Sequence, residues 1–586
     1  MAFIKIFLLT FFAVFFLFFS GLYVSPQQAE NTPQQKKQEQ IPQPAYEVEV
    51  VVTNVHVVVT DKDGNRVTGL KPENFKLYED GLLQKLTNFY EIKGMEVYAS
   101  SPGKDKKKPS VSPLPQPQRS SRFKNKIIIY FDNWQLHPMS RNWSIKKLDK
   151  FIQNNFSPEQ DDNQGMVVSL DQKLNIIQEF TSTPYQLLRA LDEVKKRSGQ
   201  SLIRRRHKED LRRELNQIVA DMTREDNRFE TYERALGYAR HYVEAEQNDL
   251  QYSLKSMNAF LDYLAGIAGK KILIYVSDGL PINPGEEVFS FLDQAFPVGH
   301  ARAEAMNYDA TKLFKALTSR CNANEISIYP INAQGLESMI LSADKERGWD
   351  TYTRGPGMVK STSRVKNDAL KLMAQETGGL AILNTNDIES GLQRIEGDLQ
   401  FYYSLGYISP HREDNQYHSI RVELVGVEEK YDVRVRREYR RVSQEERIEE
   451  GVFSRLYLSR PFNPMNIMAQ IMPVEPMPGS EKLKLSIKFL IPIKNLTLYS
   501  QQNEYRGQIK VYIALMDTEG RLSPCHELTE NITIPSQDYA VAVKSFYPYY
   551  AEMYITPGRY TISAAVKDVL GDTINYVQLE KTITDQ

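Results

Sequence analysis

The chain has 586 residues, of which 41% are hydrophobic and 25% charged, with a formal net charge of −1. That is too long for one core, so about two to four domains are expected. The near-neutral balance offers no general basic surface and excludes nucleic acid as the expected partner. Two cysteines far apart in sequence, Cys321 and Cys525, exclude a disulfide framework.

The first 25 residues, "MAFIKIFLLTFFAVFFLFFSGLYVS", carry Lys5 and then a run from Ile6 to Phe19 that is apolar except for Thr10. This is the pattern of an export signal. Counted through Val24, the run also reaches the ~18 residues that can span a bilayer. A cleaved signal and an uncleaved membrane anchor both remain open. Either one places the rest of the chain outside the cytoplasm, in the periplasm or cell envelope or as a secreted protein. Residues 26–44 are rich in Gln and Pro and read as a flexible tether.

From 45 to 95 the text turns to β. "TNVHVVVTDKDGNRVTGL" has strand composition around a turn, and a hairpin is expected about Glu79-Asp80-Gly81. A Pro/Lys/Ser-rich linker follows over 96–121. Residues 122–400 then alternate apolar strands with helical segments. The expected strands are Lys126–Phe131, Gly165–Leu170, Leu174–Phe180, Lys270–Ser277, Glu325–Ile331 and Leu380–Asn384. Runs such as "IIIYF" and "ILIYV" are apolar on both faces, as strands covered by helices on both sides must be. The expected fold class is therefore α/β plus β, with a doubly wound, largely parallel sheet in the middle of the chain.

A helical insertion over about 203–267 interrupts this pattern. Leu211, Leu215, Ile218, Phe229, Leu236, Val243, Leu250, Leu254 and Leu261 follow helical spacing, with an expected break near Thr223–Phe229. An antiparallel, coiled-coil-like hairpin results, either packed on its own domain or projecting as an arm toward a partner. The "RRRHK" run at its start reads as a solvated helix end. "RGPGMVKS" (Arg354–Ser361) fails the phosphate-loop pattern and reads as a loop. β text resumes over 401–442, in strands that would join the 45–95 module into one sandwich. A further β-sandwich-like domain is expected over 443–586.

Several segments together resemble the exported von Willebrand factor type A-related proteins of the acidobacterial type. They are "TNVHVVVTDKDGNRVTGLKPENFKLYEDG", "GKKILIYVSDG", "ALKLMAQETGGLAILNTNDIESGLQRIEGDLQFYYSLGYISP" and "YHSIRVELVG…VRVRREY", in the family's order from about Val48 to Tyr439. Glu438 departs from the family's usual glycine. The resemblance implies a Rossmann-like type A domain flanked by β modules.

It also implies one divalent cation, Mg²⁺ or Mn²⁺, at the C-terminal edge of the sheet. The family's ligand set is D-x-S-x-S after the first strand, a threonine from a later loop, and an aspartate after the fourth strand. Asp132 and Asp278 match, and hard cations want such oxygens. Trp134 and Leu136 occupy the serine positions, and Ser201 stands near the threonine's place. Asn133 and Gln135 could add oxygens, and Ser140 is a further hydroxyl nearby. If the site is degenerate, Asp132 would instead cap a helix or accept backbone bonds, and two unbridged carboxylates would need a proton or a base.

No nucleophile elbow or zinc-helix motif is present, and none of the eight histidines stands at ligand spacing. Cys321 is expected to pack rather than react. The expected function is non-enzymatic: an envelope or secreted protein that binds another protein through a type A domain with a degenerate metal site. The alternatives are a metal-dependent hydrolase using Asp132 and Asp278, and a purely structural surface protein.

Overall fold

The computed structural model describes residues 52–99, 125–221, 228–335 and 356–583, apart from a few positions within those ranges. The export segment, the tether, most of the 96–121 linker and most of the expected helical break at Thr223–Phe229 lie outside the described residues.

Strands β1 (Val52–Thr60), β2 (Phe75–Glu79), β3 (Leu82–Gln84), β4 (Leu86–Lys93) and β5 (Glu96–Ala99) open the described chain. The linker begins later than its expected start at 96, because the backbone of Glu96–Ala99 pairs with β4. The central unit contains β6 (Asn125–Phe131), α1 (Pro138–Asn155), β7 (Asn163–Leu170), β8 (Leu174–Thr181) and α2 (Pro184–Lys196). The hairpin α3 (Ser201–Asp221) and α4 (Arg228–Ala265) follows, then β9 (Lys271–Ser277), α5 (Glu286–Ala295), α6 (Ala301–Ala305), α7 (Thr311–Ala323) and β10 (Ile326–Asn332). The unit closes with α8 (Pro356–Thr377) and α9 (Ile388–Gln400). The expected loop at Arg354–Ser361 is in part the start of α8. Pro356 suits a first helical position, where its missing N–H has no intrahelical partner to lose.

The central sheet has the order β10-β9-β6-β7-β8. β6 pairs in parallel with β7 and β9, β9 pairs in parallel with β10, and β8 alone runs antiparallel. The last expected strand shrinks to a parallel bridge between Ile331 and Ile382. Alternate side chains of β6 serve two layers. Ile127, Ile129 and Phe131 pack with Ile145 and Leu148 of α1 and Leu392 and Ile395 of α9. Ile128 and Tyr130 pack with Leu254, Phe260 and Leu261 of α4 and Phe314 of α7. Cys321 is buried in that second layer, and burial pushes its thiol well up, which suits packing and not nucleophilic attack.

The hairpin does not project as an arm. The C-terminal half of α4 is part of the sheet's own core. Its N-terminal half and α3 pack Leu215, Leu236 and Val243 against Val288, Phe289 and Leu292 of α5. At about 25 cal/mol per Å² of apolar surface, a hairpin with such a face gains more by docking than by standing in water.

After the central unit come β11 (Phe401–Ile408), β12 (Tyr417–Leu424), β13 (Asp432–Val435) and β14 (Glu438–Arg440). β1 pairs with β11 and β13, and β2 pairs with β12. Strands from both sides of the α/β insertion therefore share two sheets, β13-β1-β11-β4-β5 and β14-β12-β2-β3. Val55, Val57, Leu77, Phe89, Leu405 and Ile420 fill the space between them. The sandwich is fastened to the central unit by Asp398 of α9. This fully buried carboxylate takes a bidentate pair from Arg434 at 2.7 and 2.8 Å and a second guanidinium from Arg66.

The last module opens on a helix rather than a strand, α10 (Gln444–Tyr457), which lies against α4 and against one of the sheets that follow. Strands within 468–583 form two antiparallel sheets around a core that includes Leu485, Ile487, Phe489, Val511, Ile513 and Val566.

Candidate functional site

In an open α/β sheet, ligands bind beyond the carboxyl ends of the strands, where the chain order reverses. Here β6 and β9 are adjacent and parallel, and Asp132 and Asp278 follow their last residues. Both aspartates are buried, at 0% and 2% exposure. The sheet thus brings the two predicted carboxylates to one rim. The rest of the predicted set turns elsewhere.

The Asn133 amide donates to Ser169 Oγ at 2.9 Å and Asp171 Oδ1 at 2.8 Å. Gln135 donates to the Asp249 carbonyl and to Ser253 Oγ, both at 3.3 Å. Ser201 spends its hydroxyl on the Leu136 carbonyl at 2.7 Å, and Ser140 is likewise buried. The cap of α1 is His137, whose ring accepts from the Met139 N–H, so Asp132 does not cap that helix. Asp132 accepts from the Tyr275 hydroxyl at 2.6 Å and, more weakly, from the Gln135 N–H at 3.3 Å. Burial raises its carboxyl to about 6, and the bonds from Tyr275 and Ser253 only partly oppose this.

Asp278 meets the other requirement, a base. Its Oδ2 accepts from the His137 N–H at 2.9 Å and from the Arg205 guanidinium, while its Oδ1 is buried without a hydrogen bond. Arg205 belongs to the run expected to be a solvated helix end, and that expectation is corrected here. Arg204, Lys208 and Arg212 recur one turn apart on α3, and together with Arg205 they face carboxylates. Arg204 pairs with Asp249 at 3.2 Å and Lys208 with the same residue at 2.9 Å. Arg212 pairs with Glu287 at 2.8 Å. Burial pulls the Glu287 carboxyl up, but Arg212 and its hydrogen bonds outweigh burial and hold it below its ordinary value. Arg204 also lies 3.4 Å over the Trp134 ring, which in turn packs on Tyr252 at 4.3 Å.

This arrangement does not fit the divalent cation that the resemblance implies. A guanidinium occupies the open side of Asp278, and an indole and a leucine replace two hydroxyls. Asn133, Gln135 and Ser201 bond to other protein groups, whereas Mg²⁺ asks for about six converging oxygens. What remains is a cavity of about 250 Å³ lined by Trp134, Arg204, Arg205, Lys208, Asp249 and Lys366 among others. It is a charged cleft held by internal ion pairs. The 3-4 spacing of cations along α3 was the sequence signal for it. Their partners Asp249, Asp278 and Glu287 lie 41 or more residues away in the chain, on other elements.

No family model matches the chain, and no curated protein matches it. Solved structures similar to parts of it include a β-glucuronidase from Bacteroides uniformis, 13% identical, with 20% of this chain and 13% of that one covered and a TM-score of 0.14. An aerotolerance-related membrane protein from Bacteroides fragilis is 10% identical, with 47% of this chain and 98% of that one covered and a TM-score of 0.23. BatB from Bacteroides thetaiotaomicron is 11% identical, with the same coverage and TM-score. The chain thus spans about an eighth of the glucuronidase. Likenesses this slight carry no further argument.

Proposed function

We propose that the chain is a non-enzymatic scaffold of the cell envelope that binds another protein through a type A domain whose cation site is replaced by an internal ion pair. The type A reading is supported by the segments matched in order along the sequence and by a five-stranded sheet, extended by the Ile331–Ile382 bridge, whose edge strand β8 is antiparallel. The envelope reading rests on the apolar export segment at the N-terminus. The observation that carries the function is Arg205 on Asp278: at the position where the family would hold a cation, this chain supplies its own positive charge. Among the described residues no nucleophile, base and oxyanion donors converge there, and the charged cleft beside the pair suits recognition.

The test is capture of partners from envelope extracts by the full chain, with and without Mg²⁺. The expected result is one reproducible protein partner, retained equally in both conditions and lost with Trp134→Ala, which alters the cleft mouth. Retention that requires Mg²⁺, or no partner in either condition, would overturn the reading.

A further inference from the structure

A second concentration of ligand-type side chains lies in the sandwich, far from the rim in sequence. β2 ends in Glu79, and the Asp80-Gly81 turn to β3 has both residues at positive φ, 47° and 80°. That is the tight hairpin geometry Asp-Gly favours, and it holds Glu79 and Asp80 at one corner of the sheet. Glu79 is 1% exposed. Its Oε1 accepts from Ser409 Oγ at 2.9 Å and from the Tyr439 hydroxyl. Its Oε2 is buried without a hydrogen bond.

Two histidines from the other side of the α/β insertion complete the corner. His418 of β12 is 4% exposed, with Nδ1 2.8 Å from Asp80 Oδ2. His411 Nε2 lies 3.5 Å from the same oxygen and 4.0 Å from Glu79 Oε1. The two imidazoles stack with centroids 4.0 Å apart and planes 20° apart. One donor atom each from Glu79, His411 and His418 falls within a 4.8 Å circle of mutual distances.

A buried carboxylate oxygen without a donor is expensive to hold, and a cation bound by Glu79 and both imidazoles would offset that cost. Two imidazole nitrogens and one carboxylate are the donor set of Zn²⁺, a borderline-soft ion that accepts tetrahedral N/O ligation. Bonds of 2.0–2.1 Å put tetrahedral donors about 3.3 Å apart. The donor atoms must therefore close by up to about 1.5 Å, through rotation of the part-exposed His411 ring and small shifts of the other two side chains. Ser409 and Tyr439 already fix the Glu79 carboxylate, and Asp80 orients His418, as outer partners do at metal sites.

We infer that Glu79, His411 and His418 form a Zn²⁺ site, with Asp80 as the carboxylate that orients the rings. The ion fastens the end of β2 to β12 and the segment before it within one sheet of the sandwich, joining parts of the chain about 330 residues apart.

The test is titration of the full chain, stripped by chelator, with Zn²⁺ in a calorimeter, and with Co²⁺ followed by its visible d–d absorption. The expected result is one Zn²⁺ per chain, coloured Co²⁺ binding at the same stoichiometry, and a higher unfolding temperature with Zn²⁺. His411→Ala and Glu79→Gln should each weaken binding at least tenfold while circular dichroism stays unchanged. His411 is the second safeguard, since the buried His418→Ala could unfold the corner. Asp132→Asn should leave binding intact. Uptake of less than one Zn²⁺ per chain, equal affinity in His411→Ala, or loss of binding in Asp132→Asn would each overturn the assignment.

Discussion

Truncating Arg205 to alanine leaves Asp278, whose side chain is 2% exposed, with the His137 N–H as its one remaining hydrogen-bond donor among the described residues. Two unit charges about 4 Å apart at an effective dielectric of about 20 attract by ~4 kcal/mol. The Arg205 side chain is 32% exposed, so solvent screening reduces what its removal costs. A loss of about 2–3 kcal/mol follows, below the ~3–5 kcal/mol typical of breaking a wholly buried pair. The assay is urea unfolding followed by tryptophan fluorescence. All three tryptophans fall within residues 122–400, Trp134 at the rim, Trp143 on α1 and Trp349 outside the described residues, so the signal reports that part of the chain. Arg205→Ala combined with Asp278→Asn should recover all but about 1 kcal/mol, because the buried charge is gone and the amide oxygen still accepts from His137. A single variant within about 0.5 kcal/mol of the parent, or a double variant no more stable than the single, would refute the claim that this ion pair closes the rim.

Asp132 predicts a pH dependence of defined sign. Its folded-state carboxyl is raised from 3.8 to about 6 by burial, so the native state holds the proton longer than the unfolded chain. The contribution of Asp132 to stability should be full below about pH 4, fall by roughly 3 kcal/mol as pH rises to about 6, and stay lower above that. In Asp132→Asn that decline should be absent from pH-dependent unfolding curves. Asp398→Ala should destabilise by about 3–5 kcal/mol, since it strands Arg66 and Arg434, each with a side chain only 13% exposed. Limited proteolysis between the sandwich and the α/β unit is the readout. Gly199→Ala places a Cβ 2.0 Å from the Asn133 carbonyl oxygen, a backbone contact that cannot rotate away. A loss of about 3 kcal/mol is expected in thermal or urea unfolding.

The middle of the fold was legible because its signal is local. Strands apolar on both faces, such as Ile127–Phe131 and Ile272–Val276, must be covered on both sides, and helical spacing between them supplies the covers. Local pattern showed that Asp132 and Asp278 each follow a strand, and the family resemblance implied that the two share one rim. The Asp80-Gly81 hairpin was readable for the same reason: two positive φ values are a property of the residues themselves.

What Asp132 and Asp278 do there was not readable, because charge pairing depends on distance in space. Arg205 looked like a solvated helix end until the docking of α3 set it on Asp278, and the hairpin's apolar stripe alone could not say which surface it would cover. His411 and His418 stand at no recognised spacing with Glu79, since the chain between them detours through the whole α/β unit before β12 returns beside β2. The sequence by itself determined most of the central strands and helices, since propensity and periodicity act over a few residues, although Leu380–Asn384 keeps only a bridge and Glu96–Ala99 is a strand where a linker was expected. Tertiary structure alone decided which charges are neutralised and which ligands converge, because burial and Coulomb energy are set by neighbours that folding brings from elsewhere in the chain.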